Sequence, residues 1–389
     1  MSKWLWQSDC WPDFRYDGHA LTPALAVARR AQGEIIGLSQ ALGMAEARNA
    51  RAQIWVAESL ATAAIEGERL DAASVRSSVA RRLGLAGAAH ASTPAIDGLL
   101  DMMEDAASRW GKPLTKRRLC AWQAALFPTG FSGLYKVRAG KLRSKAEPMQ
   151  IVSGPIHRPK VHFEAPPAER VPAELARFLA WFNGDSAKLD GLLRAGIAHL
   201  WFEIIHPFED GNGRVGRAII DLALAQDLKA DPRVFGLAAE LAVQRAAYYE
   251  QLRLASRDGA DINRWLEWFC RTFAQACGRS VIVVRTALAK AKFWAAHAGK
   301  SVSKAQAKTL NSLLDAGPRG FEGGLTTRKY VSLAGVSRAT AYRDLVSLVG
   351  AGMLASQGQG KRTRYFINLE GWEPGSEGSP PSQASSPRH

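Results

Sequence analysis

The segment from Ile204 to Arg217, IIHPFEDGNGRVGR, gathers residue types that packing alone has little use for. Gly211 and Gly213 flank Asn212, so the backbone is free to turn tightly and aim N–H groups at an anion. The helix expected next opens with N–H groups that lack internal acceptors, which extends the same nest through Val215 and Gly216. Arg214 and Arg217 are three residues apart and share a helix face, and their planar forks suit phosphate oxygens. Asp210 is a hard oxygen ligand suited to Mg²⁺, which completes its shell with phosphates. His206 precedes the nest and, with an ordinary pKa near ~6.5, suits a general base. The implied ligand is a polyphosphate with Mg²⁺, attacked by a group that His206 deprotonates. No GK[ST] follows the glycines, so the segment is not a P-loop. The bland alternative is a helix–loop–helix with surface arginines, and six specialised residues within twelve positions argue against it.

Several elements must hold this loop. An apolar helix leads into it over 189–205, with Leu193, Ile197, Leu200, Trp201 and Ile204 on one side, and another follows over 214–228. Further helices are expected over 22–42 (Thr22 as cap, Pro23 next), 48–70, several within 71–128 with a start at Thr93-Pro94, then 171–183, 239–254 and 262–284. The aromatic N-terminus, with Trp4, Trp6 and Trp11, is expected to pack on the body of the protein. Within 48–70, Thr62 and Glu66 are four apart on one face and Gly67 permits a bend. By itself that pattern reads as an ordinary helix end with glycine just past it. Two β-prone pieces, 149–152 and 160–163, enclose Ser153-Gly154-Pro155 and read as a hairpin that must pack on something or pair its edge with another chain. From about residue 300 a separate module is expected: helices at 305–314, 326–333 and 337–349, then a hairpin with a basic tip at Lys361, Arg362 and Arg364. That order is the winged helix-turn-helix pattern. The tail, 371–389, is rich in Gly, Ser and Pro and expected to be disordered.

Bulk composition agrees with two or three globular domains in 389 residues. The balance of 51 basic and 36 acidic residues, +15, favours anionic partners. Four cysteines, Cys10, Cys120, Cys270 and Cys277, lie far apart without a zinc spacing and are expected to be free thiols. The N-terminus lacks a signal-peptide pattern and no run approaches a membrane span, so a cytoplasmic protein without membrane association is expected.

The stretch His206-Pro-Phe-Glu-Asp210-Gly-Asn-Gly-Arg214 resembles the HxFx(D/E)GNGR signature of the Fic domain, and Arg217 extends it. The resemblance runs from about Leu126 to Phe273 and places 1–90 alongside the helical segment that precedes some Fic domains. It implies a mainly α fold with an N-terminal helical extension (1–105) and a Fic catalytic core (106–285) with a β-hairpin flap, to which the pattern above adds the C-terminal winged helix-turn-helix (300–370). The activity it implies is protein adenylylation. AMP passes from ATP–Mg²⁺ to a Ser, Thr or Tyr hydroxyl of a target protein, with self-modification expected. His206 would be the base, Asp210 the metal ligand, Gly211 to Arg217 the phosphate site and Phe208 a buried anchor. Tyr248 and Tyr249 would lie near adenosine, and Ser256 stands where some members carry Asn. The flap edge, Ile151, Val152, Ser153 and Gly154, would align the target by strand addition.

Thr62-Ala-Ala-Ile-Glu66-Gly67 is similar to the family's inhibitory pattern (S/T)xxxE(G/N), which implies an inhibitory helix at about 52–70. Glu66 would compete with ATP for Arg217; in some members the same glutamate assists removal of AMP. The alternative reading makes the chain a DNA-binding transcriptional regulator. Its winged helix would contact duplex through Arg338, Tyr342 and Arg343, and the Fic core would regulate it. The target protein and homodimerisation are left open.

Overall fold

The protein is described from a computed structural model, over residues 4–86, 89–144, 147–153, 160–257, 259–318 and 320–372. The flap residue Gly154 and the tail from 373 onward lie outside the described residues. The chain forms two compact units, Met1–Val283 and Val284–His389. The N-terminal segment and the expected catalytic core thus fall in one unit.

In the first unit, α1 (Gly18–Gln40) starts four residues before the expected cap. Asp17 accepts hydrogen bonds from the His19 and Ala20 amides, which makes it the cap, and Thr22 lies inside the helix with its hydroxyl on the Gly18 carbonyl. Next, α2 (Met44–Ile65) ends at Glu66, and Gly67 follows at φ 83°. This helix stops five residues short of the expected 70, because the left-handed turn at Gly67 terminates it. Then come α3 (Ala72–Arg82), α4 (Pro94–Ser108), capped by Thr93 as read from the sequence, and α5 (Lys116–Leu126). A short hairpin of β1 (Phe131–Ser132) and β2 (Tyr135–Lys136) follows, which the sequence reading missed.

The expected longer hairpin forms from β3 (Gln150–Ser153) and β4 (Lys160–Glu164), antiparallel, with a register shift between Ile151 and Val152. Its base packs on the N-terminal aromatics. The Trp6 indole donates to the Glu164 carbonyl at 2.7 Å, and Trp4 meets Phe163 edge-on. Helices α6 (Val171–Asn183), α7 (Gly191–Ile205) and α8 (Asn212–Leu228) come next. In the last two, fourteen of fifteen residues of α7 and twelve of seventeen of α8 are buried, so this pair forms the centre of the unit. The single helix expected over 239–254 is two, α9 (Leu237–Val243) and α10 (Arg245–Ala255), which meet at Gln244. Buried Glu58 of α2 accepts the Ala238 and Ala239 amides at 2.9 and 2.7 Å and so caps the start of α9.

Helix α11 (Asn263–Ala296) ends twelve residues beyond the expected 284. The second unit continues with α12 (Lys304–Asp315), α13 (Thr327–Ala334) and α14 (Arg338–Gly350), then β5 (Leu354–Gln357) antiparallel to β6 (Arg364–Ile367). Its core joins Phe293, Leu310, Tyr330, Leu345, Met353 and Trp372. Trp372 is therefore part of the fold, where the sequence reading had begun the tail at 371. The four cysteines are free; Cys270 and Cys277 are buried, and burial raises both thiols to about 12. Among the described residues no helix is long and apolar enough to cross a membrane.

Candidate active site

The loop between α7 and α8 is braced from both ends. His206 closes α7 in the left-handed region, at φ 48° and ψ 61°, which strains a residue that carries a Cβ. Arg143, 5% exposed, holds that turn. Its amide donates to the Pro207 carbonyl, and its guanidinium donates to the carbonyls of His206 (2.7 Å), Ile205 (3.3 Å) and Pro166 (2.5 Å). A cation at the C-terminal end of α7 also suits the helix dipole. Asn212 spends its side chain inside the loop, accepting the Phe208 amide at 3.0 Å and donating to the Phe208 carbonyl at 2.9 Å. What it offers a ligand is therefore its backbone. Phe208 itself is fully buried, as an anchor should be.

Glycines shape the nest. Gly211 sits at φ 84°, and a Cβ there would lie 3.0 Å from the Phe127 ring. The N–H groups of Asn212, Gly213 and Arg214 open α8 without intrahelical acceptors. Val215 is buried beneath them, and Gly216 faces α7 rather than the nest. Asp210 stands at the rim with a 40% exposed side chain; one oxygen accepts the Gly211 amide at 2.6 Å. A single open carboxylate beside an amide nest would suit Mg²⁺, which needs only one or two carboxylates when phosphates and water supply the rest.

A carboxylate engages each arginine of the nest. Arg217, 5% exposed, donates from Nη2 to Glu66 Oε1 at 2.8 Å, from Nη2 to the Thr62 carbonyl at 3.0 Å and from Nε to the Thr62 hydroxyl at 2.7 Å. Burial works against its charge, but Glu66, with Tyr248 and Glu203, more than offsets this and holds the guanidinium above its ordinary value. The Glu66 carboxylate also stands over the nest: a Cβ on Gly213 would come within 2.3 Å of Oε1. Arg214 lies over the Phe127 ring and donates from Nη1 to both oxygens of Glu68 at 2.8 Å. Glu68 escaped the sequence reading. Its signal was the acid immediately past Gly67, where a chain reversing direction stays beside the loop that Glu66 reaches.

A cavity of about 610 Å³ opens beside the loop, lined by Glu66, Glu203, His206, Gly213, Arg245, Tyr248 and Tyr249, with Ile151 and Phe163 of the hairpin. Burial, with Arg143 adding, lowers His206 to about 4, so its ring is neutral. The Nδ1 atom lies 3.4 Å from the Glu203 carbonyl, which favours the proton on Nδ1 and leaves Nε2 as the base. The two tyrosines part company. Tyr248 is 1% exposed and bonds its hydroxyl to His199 Nε2 at 2.6 Å, so it faces the cavity with its ring. Tyr249 is 38% exposed and donates to the Ile65 carbonyl at 3.0 Å, and Arg245 donates to the same carbonyl at 2.8 Å. Arg245 is a second residue the sequence reading missed, and Arg143 and Glu203 are two more; nothing in their spacing distinguishes them. Ile151 is exposed on the hairpin, and Val152 and Ser153 pair with Val161 and Lys160.

Residues 113–224 match the model of the Fic/DOC family. The chain is a Fic domain protein. Residues 4–85 of this Fic protein match a domain of unknown function (DUF4172). A probable protein adenylyltransferase of Aquifex aeolicus is 37% identical over 65 residues, 17% of this chain and 20% of that protein. Protein adenylyltransferase fic-1 of Caenorhabditis briggsae is 34% identical over 121 residues, 31% of this chain and 20% of that protein. The chain thus matches only a fifth of the length of either relative. Its fold is that of a solved Fic family protein from Desulfovibrio desulfuricans G20, with a TM-score of 0.51 and 22% identity over 90% of this chain and 95% of that one.

Proposed function

We propose that this Fic protein is a protein adenylyltransferase that moves AMP from ATP to a hydroxyl of a target protein, and that it is held off by its own α2. The observation that carries the reading is the α7–α8 loop: a neutral His206 and Gly213 of the amide nest line a nucleotide-sized cavity, and Arg214 and Arg217 follow in the first turns of the same helix. The relatives named adenylyltransferase match part of this chain, which supports the same chemistry. His206 Nε2 takes the proton of a Ser, Thr or Tyr hydroxyl. That oxygen attacks the α-phosphate, and pyrophosphate leaves with the electrons of the broken P–O bond. The amides of 212–214 and the forks of Arg214 and Arg217 hold the phosphates, and Asp210 would hold Mg²⁺, which neutralises charge on them when bound. Tyr249 and the Tyr248 ring line the place left for adenosine. The edge of β3 at Ile151 to Ser153 supplies unpaired backbone for a target strand.

Glu66 and Glu68 occupy the two arginines that the triphosphate needs, so the clamped state excludes a productive pose. Incubation with α-labelled and, separately, γ-labelled ATP tests the reading on wild type, His206→Ala and Glu66→Gly. Protein label from the α position alone, strongest in Glu66→Gly and absent in His206→Ala, is the expected result. Label from the γ position refutes it.

A second reading concerns the second unit. Helix α14, capped by Ser337, leaves Arg338, Tyr342, Arg343 and Val346 exposed along its length, which suits duplex phosphate and base edges. Binding of duplex DNA that weakens steeply with salt, and flattens in Arg338→Ala/Arg343→Ala, supports this role.

A further inference from the structure

Glu203 is a largely buried carboxyl with no task in the scheme above. It lies in α7 three residues before His206 and its side chain is 12% exposed. Gly216 of α8 makes the room for it, since a Cβ there would stand 2.6 Å from Oε1. Oε1 has no hydrogen-bond partner among the described residues. Oε2 is 3.9 Å from His206 Nδ1, beyond hydrogen-bond reach, while Nδ1 makes only the long 3.4 Å contact with Glu203's own carbonyl. An unpaired buried carboxyl destabilises a fold, and an apolar side chain would fill the same space without that cost. Packing therefore does not explain it, and its other oxygen lies 3.9 Å from the base.

We propose that Glu203 is the positioning residue of His206: its carboxylate turns to accept the Nδ1–H, fixes the ring with Nε2 toward the target hydroxyl, and stabilises the imidazolium as it forms. This rests on the adenylyl-transfer reading. The required movement is about 1 Å, from the observed separation to hydrogen-bond distance. The proton balance is unchanged: the hydroxyl proton goes to Nε2, Nδ1 keeps its own, and Glu203 only accepts a hydrogen bond.

The surroundings tie this dyad to the clamp. Burial and then the like charge of Glu66 push Glu203 up to about 8, while Arg217 of α8 opposes them. Tyr248 of α10, whose hydroxyl bonds His199 Nε2 at 2.6 Å, interacts electrostatically with Glu203 as well. On the other side, Arg143 faces His206 and disfavours its charged form, whereas Glu66 and Asp210 favour it. Burial is the larger cause and Glu66 the second, so with both in place Glu203 is neutral at pH 7 and lends His206 no negative charge. Glu66 thus acts twice, once on Arg217 and once on the base through Glu203. Because the carboxylate is the active form, the rate rises with pH through the ionisation of Glu203, and removal of Glu66 moves that rise to lower pH.

The test uses the full chain carrying Glu66→Gly, with and without Glu203→Gln, an isosteric change whose melting temperature is checked alongside. Transfer from α-labelled ATP is followed from pH 5.5 to 9, and the His206 ring is titrated by NMR. Glu203→Gln is expected to lower kcat roughly tenfold or more with KM for ATP unchanged, to abolish the ascending limb, and to lower the His206 pKa. A pH profile and a His206 titration that both match the parent overturn the proposal. If no variant transfers label, adenylyl transfer fails as a reading; the His206 titration still decides the dyad, and a ring unaffected by Glu203→Gln refutes it.

Discussion

Replacing Glu66 with glycine isolates the clamp with little damage to the fold, because Glu66 is the C-cap of α2 and a glycine already follows it. What is lost is one charge-assisted hydrogen bond, 2.8 Å long, from a guanidinium that is 5% exposed to a carboxylate whose side chain is 29% exposed. Such a bond contributes about 1.5–3 kcal/mol. On the proposed reading Glu66 and the terminal phosphates compete for the same donor, so this energy would oppose ATP binding. At 1.4 kcal/mol per decade, ATP is expected to bind about 10- to 100-fold more tightly to Glu66→Gly. Titration calorimetry with ATP–Mg²⁺ measures this directly, with catalysis silenced by His206→Ala in both proteins. Thr62→Ala is the control: it removes a neutral acceptor from the same arginine and is expected to shift affinity less. An affinity unchanged by Glu66→Gly would show that Arg217 is not contested, and the clamp would then be a structural ion pair.

Glu68→Ala should act in the same direction but more weakly. Its side chain is 41% exposed, and a solvated pair contributes at most about 1 kcal/mol, or roughly fivefold in ATP affinity by the same calorimetry. Asn212→Ala leaves the Phe208 amide and carbonyl buried without partners and should cost about 2 kcal/mol or more, read as a lowered melting temperature together with lost label transfer. Arg143→Ala should release the strained His206 turn and abolish transfer while ATP affinity changes little, because Arg143 touches carbonyls of the loop and none of the nest. Glu58 carries a pH signature: burial raises it to about 7 from an ordinary value of 4.5, so the folded state holds the proton more tightly than the unfolded one. Stability from this group falls as pH rises from about 4.5 to about 7, and Glu58→Gln should flatten that part of the denaturation curve.

Much of the site was legible because its chemistry is local. His206, Asp210, the glycines and both arginines lie within twelve residues, so spacing alone places them on one loop and one helix face. The same holds for Thr62 and Glu66, whose shared face delivers both to Arg217. Asn212 shows the limit of reading residues by type. Its amide is as able to bind phosphate as to brace a loop, and only the position of Phe208 decides. Arg143 and Glu203 are set by three-dimensional proximity: one reaches the end of α7 from the segment after β2, and the other needs Gly216 across a helix pair. Helix starts failed where a better cap lay nearby, as Asp17 replaced Thr22, and the turn at Gln244 divided a continuous apolar pattern into two helices.

The cap that Glu58 places on α9 constrains how the proposed brake would come off. Two buried amides depend on that carboxylate, two turns before Glu66 on the same helix. Pulling α2 away as a body would strand those amides and an acid together, so the inexpensive motion is unwinding of the last turn alone, beyond Thr62. Such fraying is among the fastest rearrangements a folded chain makes and leaves the rest of the helix docked. The proposed brake would then work as a trigger rather than a bolt: brief releases, each resetting by itself, with turnover set by how often the terminal turn is open when ATP arrives.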